Sequence, residues 1–308
     1  MDEEMMFEMS AGSLEGLPSV GEMFDLTGKV AVVSGTIGLA LSVIYRLASC
    51  GAKVVFGARR EVIGQMAEER LREMGLDVRF HKLDVSSVES CREIVAFAEQ
   101  TYGTVDIVVP VAAAFFARAF VDIKESEYDR IVDVDQKGQY FLVQAAARSM
   151  IRGKKGGKVV TVASVAYRGE DMPKLAMMTA YNTAKAGVVG MTRGIAKELK
   201  QYGINVNCVA PGVIDTDMLS MAPPEARAML APLASTDSTS DHCWSVTSWR
   251  SIPGRLMPAL HTSTSRWPNR SKTVSAMALT WAGSDTSPQT GNAPFPISSQ
   301  RAKAASLD

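Results

Sequence analysis

The 308-residue sequence is short of cysteine, histidine and net charge, and tryptophan is missing until Trp244. Its four cysteines (Cys50, Cys91, Cys208 and Cys243) lie far apart, with no C-x-x-C pair and only three histidines in the whole chain. That spacing argues against a disulfide framework or a zinc site, so no metal is expected and a reducing compartment is. Lys plus Arg and Asp plus Glu balance at 33 each, which leaves no basic surplus to attract nucleic acid or another polyanion. No apolar run approaches the roughly 18 residues that span a bilayer. The opening Met1–Met9 is acidic and methionine-rich, without the basic and continuously apolar regions of a secretory leader. A cytoplasmic protein that engages neither membrane nor nucleic acid is expected.

What is present is a regular alternation. Residues 1–24 carry no clear period and read as a flexible extension. From Lys29 onward, short apolar runs of a buried-strand type (Val30–Val33, Val54–Phe56, Val78–Leu83, Val105–Val109, Val159–Ala163, Ile204–Val209) alternate with helical patterns. The helices are expected over Leu39–Cys50, Glu61–Met74, from a Ser86 or Ser87 cap to Gly103, Glu125–Arg152 and Thr179–Tyr202. Such alternation predicts right-handed βαβ crossovers and an α/β fold, a doubly wound parallel sheet of the Rossmann type in a single domain over 25–221. Ligands of these sheets bind at the carboxyl ends of the strands.

Beyond Ala222 the character changes. All four tryptophans fall here, Ser and Thr are frequent, and no apolar stripe or completing strand is visible. Residues 222–308 read either as a natural irregular, partly disordered tail or as translation in a shifted frame.

The residues with chemical content cluster at strand ends. Tyr181 and Lys185 stand four apart on a helix and so share a face; of the seven tyrosines only Tyr181 has a lysine at that spacing. A free phenol titrates near about 10, and a neighbouring ammonium lowers that value toward the working range. An ordinary surface pair has the same spacing. Val159–Ser164, however, is a strand that delivers a serine at its end, and Asn205–Thr216 is a strand that breaks at Pro211-Gly212.

With the serine, Tyr-x-x-x-Lys and N-x-x-x-P-G-x-x-x-T in this order, the chain resembles the short-chain dehydrogenase/reductase family over about Phe24 to Met221. The resemblance implies that Tyr181 is the general acid in carbonyl reduction and the base in alcohol oxidation. Ser164 would hydrogen-bond the substrate oxygen, and Lys185 would bind the nicotinamide ribose and depress the tyrosine pKa. Asp135 stands where the family has an asparagine that helps hold a water relay to the lysine; an ionised aspartate would counter the charge of Lys185. Pro211, Gly212, Ile214 and Thr216 would line the nicotinamide, and Asp84-Val85 would contact adenine, although Asp84 also suits a plain strand-end turn. A small-molecule alcohol or ketone is the implied substrate, hydroxysteroid-like, sugar-derived or 3-oxoacyl. Met218, Met221 and Met229 are candidates for an apolar lid. A homo-oligomer, dimer or tetramer, is implied if the tail permits.

After the second strand the chain reads Ala58-Arg59-Arg60, with no carboxylate for a ribose 2′-hydroxyl and two guanidiniums whose fork of donors suits a 2′-phosphate. NADP is therefore expected over NAD, unless the arginines merely begin a solvated helix. Three features depart from the family. The glycine-rich turn, Ser34-Gly35-Thr36-Ile37-Gly38, is about three residues shorter than the motif, which would draw the helix start toward the strand; Gly35, Ile37 and Gly38 remain the candidates for pyrophosphate contact. Pro110-Val111-Ala112-Ala113 replaces an asparagine pair, Asp135 replaces the relay asparagine, and the abnormal tail compounds these three. These departures keep a second expectation open, a catalytically weak or inactive nucleotide-binding protein.

Overall fold

Val30–Ser34 is buried at every position, so this strand must lie inside a sheet covered on both faces. The computed structural model describes residues 18–169, 177–212, 214, 216 and 245–247. In it β1 (Val30–Ser34) is followed by α2 (Leu39–Ser49), β2 (Lys53–Ala58), α3 (Glu61–Glu73), β3 (Val78–Lys82), α4 (Val88–Tyr102) and β4 (Ile107–Pro110). Then come α5 (Glu125–Val132), one π-helical turn (Asp133–Lys137), α6 (Gly138–Gly153), β5 (Gly157–Val162), α7 (Thr179–Leu199) and β6 (Ile204–Ala210). The strand order is β3-β2-β1-β4-β5-β6, all parallel, the doubly wound arrangement that the alternating pattern predicts.

The alternation along each strand divides the core. Ala31, Val33, Val54 and Phe56 point to one face, where Ile44 and Leu47 of α2 and Leu71 of α3 cover them. Val32 and Val55 point to the other, against Ile94 and Val95 of α4 and Leu142 and Ala146 of α6. Each fully buried side chain of this size contributes about 1.5–3 kcal/mol. Helix ends follow their local chemistry. Ser87 accepts a hydrogen bond from the Ser90 N–H to start α4, and Gly103, at φ 83°, ends it.

Two expectations are corrected. The close of the N-terminal extension is a short helix, α1 (Val20–Phe24), because Ser19 and Glu22 form a reciprocal capping box, a signal shorter than any periodicity. A further strand does exist beyond Ala222: β7 (Ser245–Thr247) pairs antiparallel with Cys208–Ala210. Only three residues long, it carries no alternation to read, and it pairs with backbone groups that the edge of β6 would otherwise leave open. The other residues of 222–308, including the four tryptophans, and Met218, Met221 and Met229 lie outside the described residues. Among the described residues, no helix is long and apolar enough to cross a membrane.

Candidate active site

The site begins with a parting of strands. β4 pairs with β5 only at Ile107–Lys158 and Val108–Val159, because β4 ends at Pro110, which has no N–H to donate. The proline sits at the strand's carboxyl end, opposite Ser34, so its cost to the sheet is small. Just beyond it the Ala112 N–H donates to Ser34 Oγ at 3.0 Å. On the other side of the gap, Val162 has no strand neighbour from β4. The Gln139 side chain satisfies it instead, donating from Nε2 to the Val162 carbonyl at 2.9 Å and accepting the Val162 N–H at 3.1 Å. Gln139, absent from the sequence-based candidates, carries no motif; only its burial beside a strand end reveals its role.

The same carbonyl accepts a second donor. Lys185 Nζ donates to it at 3.1 Å and lies 3.3 Å from Asp135 Oδ2. Lys185 is 1% exposed and Asp135 not at all. Asp135 reaches this depth because it lies in the π-helical turn between α5 and α6, a one-residue widening of the helix that often marks functional sites. Its Oδ1 accepts the Ala114 N–H at 2.6 Å, whereas Oδ2 has no hydrogen-bond partner. Burial raises the Asp135 pKa against the opposing pull of Lys185. Burial would lower that of Lys185, but Asp135 foremost outweighs it and keeps the ammonium charged.

Tyr181 completes the cluster. One helical turn before Lys185 on α7, its half-buried ring lies 5.4 Å from Nζ and meets the Phe115 ring edge-on at 5.3 Å. Ser164, which follows β5, caps a short 3₁₀ turn through Ala166 and lies close enough to the phenol to favour its ionised form. Sequence and structure differ on the direction of its pKa. Burial raises it, Lys185 lowers it, Asp135 raises it again and Ser164 lowers it; the balance lies above the ordinary phenol value. Spacing alone shows the lysine and hides both the burial and the carboxylate.

The remaining candidates lie around the same strand ends. Gly35 and Gly38 both have positive φ, 106° and 58°, as a tight strand-to-helix turn requires. A Cβ on Gly35 would stand 2.7 Å from Ala40 Cβ, and one on Gly38 would stand 3.2 Å from Thr216 Cβ. The turn is therefore close against α2, and the loop carrying Thr216 reaches across to it. No side chain caps α2, so its N-terminus begins beside two residues without side chains. These features fit a pyrophosphate. Ile37 is partly exposed, and Pro211 is buried beside half-buried Gly212, Ile214 and Thr216. The Pro211 carbonyl accepts the Val165 N–H at 2.9 Å, which joins this loop to the segment after Ser164. Arg59 and Arg60, just past β2, are exposed. Asp84 spends Oδ1 on the Ser86 N–H and hydroxyl, at 3.0 and 2.7 Å, and so serves its own turn as well as lying, with Val85, beyond β3.

A strand-end serine, a Tyr–Lys helical pair and a glycine turn, gathered at one edge of a parallel sheet, define a dehydrogenase of the nucleotide-binding type. The chain belongs to the short-chain dehydrogenases: the family described as "short chain dehydrogenase" matches residues 29–226. It is 32% identical over 212 residues to an uncharacterized oxidoreductase of Staphylococcus aureus, covering 68% of this chain and 88% of that protein. It is 33% identical over 192 residues to galactitol 2-dehydrogenase of Agrobacterium fabrum, covering 62% and 72%. Among solved structures, a short-chain type dehydrogenase/reductase from Mycobacterium marinum superposes with a TM-score of 0.65 at 31% identity, covering 70% and 84%. A variant of actinorhodin polyketide ketoreductase with NADPH gives 0.58 at 27%, covering 69% and 78%.

Proposed function

We propose that this enzyme interconverts a secondary alcohol and a ketone with NADP(H), Tyr181 exchanging the proton and Ser164 holding the substrate oxygen. The observation that carries the reading is the meeting of Ser164, Tyr181 and Lys185 at the carboxyl end of β5. The bound nicotinamide supplies hydride; the chain's part is orientation and proton transfer. Gly35, Ile37 and Gly38 would hold the pyrophosphate, Asp84 and Val85 the adenine, and Lys185 the nicotinamide ribose. Pro211, Gly212, Ile214 and Thr216 would line the ring. In reduction the phenol gives its proton to the carbonyl oxygen while a hydrogen bond from Ser164 steadies the growing negative charge. The two exposed arginines after β2 favour a 2′-phosphate over a bare ribose. A cytoplasmic homo-oligomer belongs to the same reading.

A second reading, a nucleotide-binding protein without turnover, draws on the tight contacts at Gly35 and Gly38. Titration with NADPH and NADH, followed by nicotinamide fluorescence, and a panel of ketones and polyols separate the two. Tight NADPH binding with reduction of at least one ketone supports the enzyme. Binding without turnover supports the alternative, and no binding removes both.

A further inference from the structure

Lys185 Nζ faces two oxygens on the side away from Tyr181, the Asp135 carboxylate and the Val162 carbonyl. Neither partner is neutral in effect: one is a carboxyl group whose ionised form Lys185 favours against burial, and the other is the negative end of a peptide dipole. Water cannot screen the arrangement, because both side chains are sealed from solvent. A lysine whose charge is already matched has less to offer a phenolate, and the matching carboxylate repels that phenolate.

We infer that Asp135 is a positioning residue that holds the Lys185 ammonium toward itself and so keeps Tyr181 as the protonated phenol, ready to donate. This deepens the proposed function and rests on Tyr181 as its proton-exchanging group. Among the described residues, the groups that face the phenol are few. Lys185 comes from its own helix, Asp135 from the π-helical turn, Ser164 from the end of β5 and the Phe115 ring from the segment after β4. Cys208 of β6 faces Lys185 from behind, its thiol pushed up by burial and so neutral. Of these, Asp135 alone brings negative charge. Apart from the Ala114 N–H at Oδ1, the charge of this buried carboxylate is met by Lys185, whose Nζ lies 3.3 Å from Oδ2, so the lysine cannot turn away cheaply.

In reduction the phenol O–H bond breaks and its proton goes to the carbonyl oxygen; in oxidation the phenolate takes that proton back. Both directions share one titration, so a change at Asp135 must move the pH limbs of both together. The test needs neither substrate nor cofactor. Phenolate absorbance is titrated for the wild type and for Tyr181→Phe, and the difference isolates one of the chain's seven tyrosines. The same difference is taken in an Asp135→Asn background.

The expected result is that the Tyr181 component moves to lower pH in Asp135→Asn, with roughly tenfold more phenolate at a given pH. The falling limb of ketone reduction and the rising limb of alcohol oxidation should move acidward with it. A component that stays in place or moves to higher pH overturns the inference. If Asp135→Asn fails to fold by circular dichroism, Asp135→Ser takes its place in the same difference titration. A Tyr181 component that moves to lower pH upholds the inference, and one that stays in place or moves to higher pH overturns it. A protein that reduces no ketone but shows the expected phenolate shift would overturn the proposed function and leave the electrostatic inference standing.

Discussion

Gln139 brackets both polar backbone groups of Val162, standing in for the strand that Pro110 ends. Replacing Gln139 with Leu would leave a buried N–H without a partner and a buried carbonyl with Lys185 alone. Each unsatisfied group costs about 1–3 kcal/mol. The variant should unfold at lower denaturant concentration, and its kcat should fall because the same carbonyl anchors Lys185. Unchanged stability would show that water or a neighbour takes the amide's place.

Tyr181→Phe keeps the ring that packs against Phe115 and removes only the proton. Turnover should drop by about 10²- to 10⁴-fold, while cofactor affinity from fluorescence titration stays close to wild type. Comparable activity in both proteins would exclude the phenol as the proton donor.

Arg59 lies exposed past the end of β2, so its guanidinium can meet a ligand without disturbing the core. Arg59→Ala should weaken NADPH by about tenfold or more, the worth of a charge-assisted hydrogen bond, and leave NADH nearly unaffected. Equal weakening of both would refute the preference for the phosphorylated cofactor.

Lys185→Met strips Asp135 of its counter-charge in a site sealed from bulk solvent. A carboxyl whose folded pKa is raised by burial contributes stability that is present below its unfolded value and lost as pH rises through the folded one. The variant should therefore be closest to wild type in acid and fall behind toward neutral pH, by about 3–5 kcal/mol. Urea unfolding across that range measures it; a deficit independent of pH would mean that Asp135 is not the group left exposed to the loss.

Periodicity reveals the sheet because each strand of this fold writes its own burial into the chain. Val30–Val33 announces a core strand without reference to any partner. Tyr181 and Lys185 are legible for a similar reason, since helical geometry alone puts them on one face. What stays hidden depends on contacts between distant segments. The family resemblance sets Asp135 against Lys185, fifty positions later, but no periodic mark shows the extra residue in the helical turn that carries it there. The short helix at Val20–Phe24 escapes because its cap is stronger than its pattern. The strand Ser245–Thr247 exists only by virtue of an edge elsewhere in the chain. The reversal in the tyrosine's acidity has the same origin: desolvation is a property of surroundings, and spacing cannot report it.

The early separation of β4 from β5 gives the molecule two lips with different duties. One, ending in Gly35, Arg59 and Asp84, would grip the carrier; the other, ending in Ser164 and Pro211, would present the reacting atoms. Because few backbone bonds cross between them near the rim, either lip can be altered by mutation without dragging the other out of place.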